Sequence, residues 1–168
     1  MTNKSKLALG GASGTLAIGG GTIAATIKKS DSFSANVNSS KPGFLDQIKK
    51  KKEEEGKSYE GKNLEQIKSK LQEVDSQWYV TAKNNSVQIN NWLGISNAES
   101  SRYVTYDNVD EAKSGQESSL TKVTNWISNW CELVKDKTEE ELLKIKGTMT
   151  DEDVKQVPQL FESLCFAK

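Results

Sequence analysis

The sequence predicts an all-α fold: an N-terminal hydrophobic helix, a flexible linker, and a small helical bundle of four to five helices. Three observations carry that prediction. After Lys62, apolar residues recur at steps of three and four, the repeat of a helix face rather than the alternation of a strand. Several of these stripes follow a Ser or Thr with an acid three residues later, the sequence signature of a capping box. Residues 7–27 carry no charge and are fenced by Lys4 and Lys6 before and Lys28 and Lys29 after. The chain therefore divides into a signal or membrane-anchor segment (1–29), a linker containing a charged helix (30–61) and a helical domain (62–168).

Residues 7–27 are long enough to span a bilayer, which takes about 20 apolar residues. Their hydrophobicity is close to balance. Leu7, Leu9, Leu16, Ile18, Ile23 and Ile27 contribute about −3 kcal/mol on an insertion scale, and the glycines and hydroxyl residues between them oppose it. An uncleaved anchor, a cleaved signal with Thr22 and Ala24 before the cut, and a soluble glycine-rich tail all remain open. Gly10, Gly14, Ala17 and Gly21 fall on one stripe of a helix. In lipid such a stripe lets two backbones approach, so it is a candidate helix-pairing face for a homo-oligomer. The bland alternative is that a glycine- and alanine-rich composition produces this spacing by chance.

In the linker, residues 30–40 are rich in serine and asparagine, as expected of a spacer. Residues 44–55 follow as a charged helix, with Lys49, Lys50 and Lys51 each four residues before a glutamate; this reads as a solvated face. Gly56-Lys57-Ser58 imitates the end of a phosphate-binding loop but lacks the earlier glycine and the preceding strand. In the helical domain, Leu64, Ile67, Leu71, Val74 and Trp78 form the stripe of one helix of about five turns. A second helix over 86–96 presents Val87, Ile89, Trp92 and Leu93. Residues 101–108 are β-prone, and one short run makes no sheet, so an extended connector is expected. Ser114 with Glu117 opens a third helix lined by Leu120, Val123, Ile127, Trp130, Cys131 and Val134. Thr138 with Glu141 caps a shorter helix that Gly147 ends. Thr150 with Asp153 opens the last one, which Pro158 is expected to kink or restart because proline has no amide donor.

Composition excludes several functions. The 168 residues hold 23 basic and 23 acidic groups. Four of the lysines precede Ser30 with no acid among them, so the body is mildly acidic. With Arg102 as its single arginine, it does not read as a nucleic-acid binder. There is no histidine, which removes serine–histidine and cysteine–histidine catalysis and the zincin motifs. The acids gather at helix starts, where the dipole favours them, and Asp151 and Asp153 lack the rest of a calcium loop. No cofactor, metal site or enzymatic activity is expected. Cys131 and Cys165 lack a nearby CxxC or histidine and so offer no zinc set. If the body lies outside the membrane they are the available intramolecular pair, closing a loop of about 35 residues and adding about 4 kcal/mol. If it lies in the cytoplasm they are buried thiols.

Of four tryptophans, Trp78 and Trp130 extend helical stripes and read as core. Trp92 and Trp126 share a local pattern, Asn91-Trp92-Leu93 and Asn125-Trp126-Ile127, and Trp126 lies at the edge of its stripe. Taken in order, Lys6-Leu7-Ala8-Leu9-Gly10 with its glycine–alanine run, Asp75-Ser76-Gln77-Trp78, Trp130-Cys131 and Cys165 resemble the large paralogous families of uncharacterised membrane-associated and surface proteins of haemotropic mycoplasmas. The resemblance covers most of the chain as short signposts, and no catalytic or ligand residue carries over. It implies a small membrane-bound or exported protein of a wall-less, blood-borne bacterium, with the lipid bilayer, host surface molecules or antibodies as its partners. Two functions are carried forward: a non-enzymatic surface protein at the cell membrane with an extracellular body, in host interaction or antigenic variation, and a cytoplasmic-side membrane or soluble structural protein with reduced thiols.

Overall fold

The computed structural model describes residues 43–145 and 149–168, all within the compact unit Ser39–Lys168. The expected N-terminal helix, the pairing face of Gly10, Gly14, Ala17 and Gly21, the serine-rich spacer and the Gly147 stop lie outside the described residues. The described part is mostly helical. It runs α1 (Phe44–Glu54), β1 (Ser58–Tyr59), α2 (Leu64–Gln72), α3 (Gln77–Asn84), α4 (Ser86–Trp92), α5 (Tyr106–Lys113), α6 (Glu117–Val134), α7 (Glu139–Leu143), α8 (Asp151–Cys165) and β2 (Phe166–Ala167). Residues 62–168 hold seven of these helices where four to five are expected: the 64–78 stripe is broken in two without leaving phase, which a periodicity argument does not see, and α5 starts inside the expected connector.

The longest helix, α6, is the centre of the body. It buries Leu120, Val123, Trp126, Ile127, Trp130, Cys131 and Val134, a face wide enough to serve α2, α5 and α8 together. The edge residue Trp126 belongs to the core at 2 % exposure. Its partner helix α8 buries Val154, Val157, Leu160, Phe161, Leu164 and Cys165 and runs through Pro158 as one helix. The helical φ of proline fits that position, and the missing donor leaves one carbonyl bond unmade.

The stripe from Leu64 to Trp78 is two helices. Glu73 leaves the helical region at ψ 144°, and Ser76 accepts from the Tyr79 amide to cap α3 while its own hydroxyl donates to the Lys70 carbonyl. Val74, in the break, is 91 % exposed. The carbonyls freed at the end of α2 are taken up by the Lys113 ammonium from α5. The expected extended connector over 101–108 is a turn at residues 101–102 and irregular backbone over 103–105; the Thr105 hydroxyl and the Asn108 side chain then form a reciprocal box that starts α5. Ser114 is the C-cap of α5 and donates to the Glu111 carbonyl; it does not cap α6, whose N-cap is Gln116. The Thr138 and Thr150 boxes are present as read.

The charged helix of the linker is α1, and it is packed on the helical body. Ile48 and Lys52, one turn apart, are both buried, and the Leu45 amide donates to the Lys135 carbonyl at 2.9 Å. Lys52 reaches Glu162 of α8 at 2.7 Å and Glu55 at 3.1 Å. Behind α1, β1 pairs antiparallel with β2, Ser58 opposite Ala167 and Tyr59 opposite Phe166. No helix among the described residues is long and apolar enough to cross a membrane.

Candidate functional site

The one sequence-predicted pair that the fold brings together is Cys131 with Cys165. Cys131 sits on the buried face of α6 because Ile127 and Val134 flank it at helical spacing, and Cys165 is the last residue of α8. Their Cα atoms are 5.8 Å apart and the sulfurs are at bonding distance. Both are fully buried. The bond ties the C-terminal end of α6 to the C-terminal end of α8, and β2 follows Cys165 directly.

Around it stands an aromatic cluster. Trp130 stacks on Trp92 at 6.2 Å and meets Phe161 edge-on at 6.5 Å, and Phe161 meets Phe166 at 5.5 Å. Tyr59 completes the group at 6.0 Å from Phe161 and 5.7 Å from Phe166. Such ring pairs add to the area they bury and hold their partners in defined orientations.

Over the cysteines lies the segment that carries β1. The Glu60 amide donates to the Cys165 carbonyl at 2.8 Å. A Cβ on Gly61 would lie 2.6 Å from Cys131 Cβ and 2.3 Å from Tyr59 Oη, so only glycine lets the backbone pass here. The Tyr59 hydroxyl donates to Glu132 at 2.7 Å, and Lys62 and Lys135 flank the same carboxylate at 3.2 and 3.0 Å. Burial, then the neighbouring Glu132 charge, pushes the Tyr59 hydroxyl far above the usual phenol range. Burial alone would raise Glu132, but the Tyr59 hydroxyl and the two ammonium groups outweigh it and hold the carboxyl below its usual range. The phenol stays protonated and the carboxylate ionised. The pair is a clasp, with neither a base poised near neutrality nor an activated nucleophile.

A second buried polar cluster fastens α4 to the 93–105 loop and α6. Asn90 of α4 donates to the Val104 carbonyl at 2.7 Å, accepts from the Val104 amide at 3.2 Å and accepts from Trp126 Nε1 at 2.9 Å. All three partners are buried, so one side chain pins the 93–105 loop and α6 together. Sequence reading missed this residue, as it missed Tyr59, Gly61 and Glu132. The available signal was slight: an aromatic and a glycine two residues apart inside a charged stretch, and an asparagine on an otherwise apolar helix face.

Open grooves mark the surface. One of about 360 Å³ is lined by Lys52, Lys57, Lys70, Glu73 and Glu162, which pair among themselves or with Glu55, and by Asp75 and Lys168. A second, of about 300 Å³ between α3 and α8, is lined by uncharged groups such as Gln77, Asn84, Gln156 and Gln159. A third, of about 310 Å³, lies along α6 between Arg102, Asn125 and Asn129. Among the described residues no three acids or cysteines gather as a metal set. No family model, no curated protein and no solved structure matches this chain. The arrangement itself is what speaks to function.

Proposed function

We propose that this chain is a non-enzymatic surface protein, anchored at the membrane or exported by residues 7–27, whose disulfide-stapled helical body lies outside the cytoplasm and serves host interaction or antigenic variation. The observation that carries the reading is the buried Cys131–Cys165 pair at bonding distance. Structural disulfides persist in oxidising surroundings and are rare where glutathione and thioredoxin keep thiols reduced. The uncharged segment fenced by lysines supports the same placement from the other end of the chain. The resemblance to mycoplasmal surface families agrees with both.

Protease treatment of intact cells tests the placement: residues 62–168 are expected to be degraded while a cytoplasmic marker survives. Full protection overturns it and favours the body on the cytoplasmic side. The mass of the native chain is expected to fall short of the dithiol form by two hydrogens.

A further inference from the structure

We propose that residues 57–62 form a cap that gates the Cys131–Cys165 bond: an external thiol reaches the sulfurs when this cap lifts, without unfolding of the body, and breaking the bond in turn loosens the cap. The inference rests on the disulfide and not on which side of a membrane the body occupies. Both cysteines are fully buried, so no thiol meets them in the closed state. What lies over them is attached to both. The cap binds the Cys165 carbonyl through the Glu60 amide, presses the Gly61 backbone onto Cys131, and clasps Glu132, the residue after Cys131, through Tyr59 and Lys62.

These attachments are few. A two-residue strand pairing, the Tyr59 and Lys62 contacts to Glu132, the Lys57 contacts to Lys52 and Glu55 and a set of ring contacts hold the cap, whereas α6 is held by buried side chains along its whole length. Segments with few buried contacts open locally at a fraction of the cost of global unfolding. The exchange itself is ordinary. A thiolate of an external dithiol attacks one protein sulfur, forming a mixed disulfide and expelling the other cysteine as a thiolate that takes up a proton. The second thiol of the reagent then closes its own cyclic disulfide and releases the first cysteine, so two protein thiols form as the dithiol is oxidised. The reverse influence follows from chain order. β2 begins immediately after Cys165, so the bond fixes where Phe166 and Ala167 stand to receive β1. Coupling of this kind is reciprocal: whatever stabilisation the bond lends the cap, the cap lends the bond.

The test measures how fast the cysteines of the full-length chain become alkylatable in excess dithiothreitol. Tyr59→Phe, which removes one hydrogen bond to a charged group, is expected to speed this by about tenfold or more. Asn90→Ala, with Trp126→Phe as a milder version, weakens the body at bonds that do not involve residues 57–62 and is expected to leave the rate within about twofold, since the network survives in both closed and cap-open states. If these variants speed reduction in step with their lost stability, the route is global unfolding and the proposal fails. It fails equally if Tyr59→Phe changes nothing. The reciprocal arm is hydrogen exchange in Cys131→Ala/Cys165→Ala: the Glu60 amide is expected to lose at least tenfold more protection than the Val104 amide, and equal loss at both overturns the coupling.

Discussion

Two single residues hold more of this fold than their neighbours. Asn90 satisfies three buried backbone and indole groups at once. Asn90→Ala leaves them all without partners, and at 1–3 kcal/mol for a buried orphan the expected loss is about 3 kcal/mol, read from the urea midpoint. Glu132 contributes to the acid response, as do Glu55 and Asp110, whose carboxyls are held low by Lys52 and Lys83. With Glu141, held low by the Thr138 amide, and Asp153, held low by the Thr150 amide, it keeps its charge in the folded chain at a pH where the unfolded chain takes up a proton. A lowered folded value means stability that is complete above the unfolded value of about 4 and is lost as pH falls through the folded one. No histidine titrates in between. The unfolding midpoint is therefore expected to stay level from about pH 5 to 8 and to fall below about pH 4. Glu132→Gln is expected to make that fall shallower.

At the scale of elements, the caps separate true helix starts from imitations. Thr150→Ala removes a reciprocal box and is expected to cost about 1 kcal/mol. Ser114→Ala, at a site with the same sequence signature, is expected to stay within about 0.5 kcal/mol because the hydroxyl meets only the Glu111 carbonyl. Paired thermal melts decide between these. The contrast explains what was legible beforehand. The buried faces of α6 and α8 were readable because core contact and helical period coincide there. The division of residues 64–78 was not, since the break keeps Ile67, Leu71 and Trp78 in phase, with Val74 pointing outward and Leu64 exposed at the start of the stripe. The start of α5 was hidden because Tyr103 to Tyr106 look β-prone while an Asn, rather than an acid, closes the Thr105 box. The cap could not be read at all. Its meaning lies in the pairing of β1 with β2, and neither two-residue strand has a pattern of its own.

For the whole molecule, the disulfide is the largest single constraint. Closing the loop between Cys131 and Cys165 contributes about 4 kcal/mol in the chain-entropy model, set against a usual total of about 5–15 kcal/mol for a domain. Cys131→Ala/Cys165→Ala is accordingly expected to remain folded at low temperature and to unfold at markedly lower urea. The pairing of β1 with β2 also orders events in time. Domains form as they leave the ribosome, early residues first. The strand at Ser58–Tyr59 emerges long before Phe166–Ala167, so it must wait while α2 to α8 assemble. A nascent chain thus carries its early segment unlatched, and the latch closes only on molecules whose synthesis has passed Ala167.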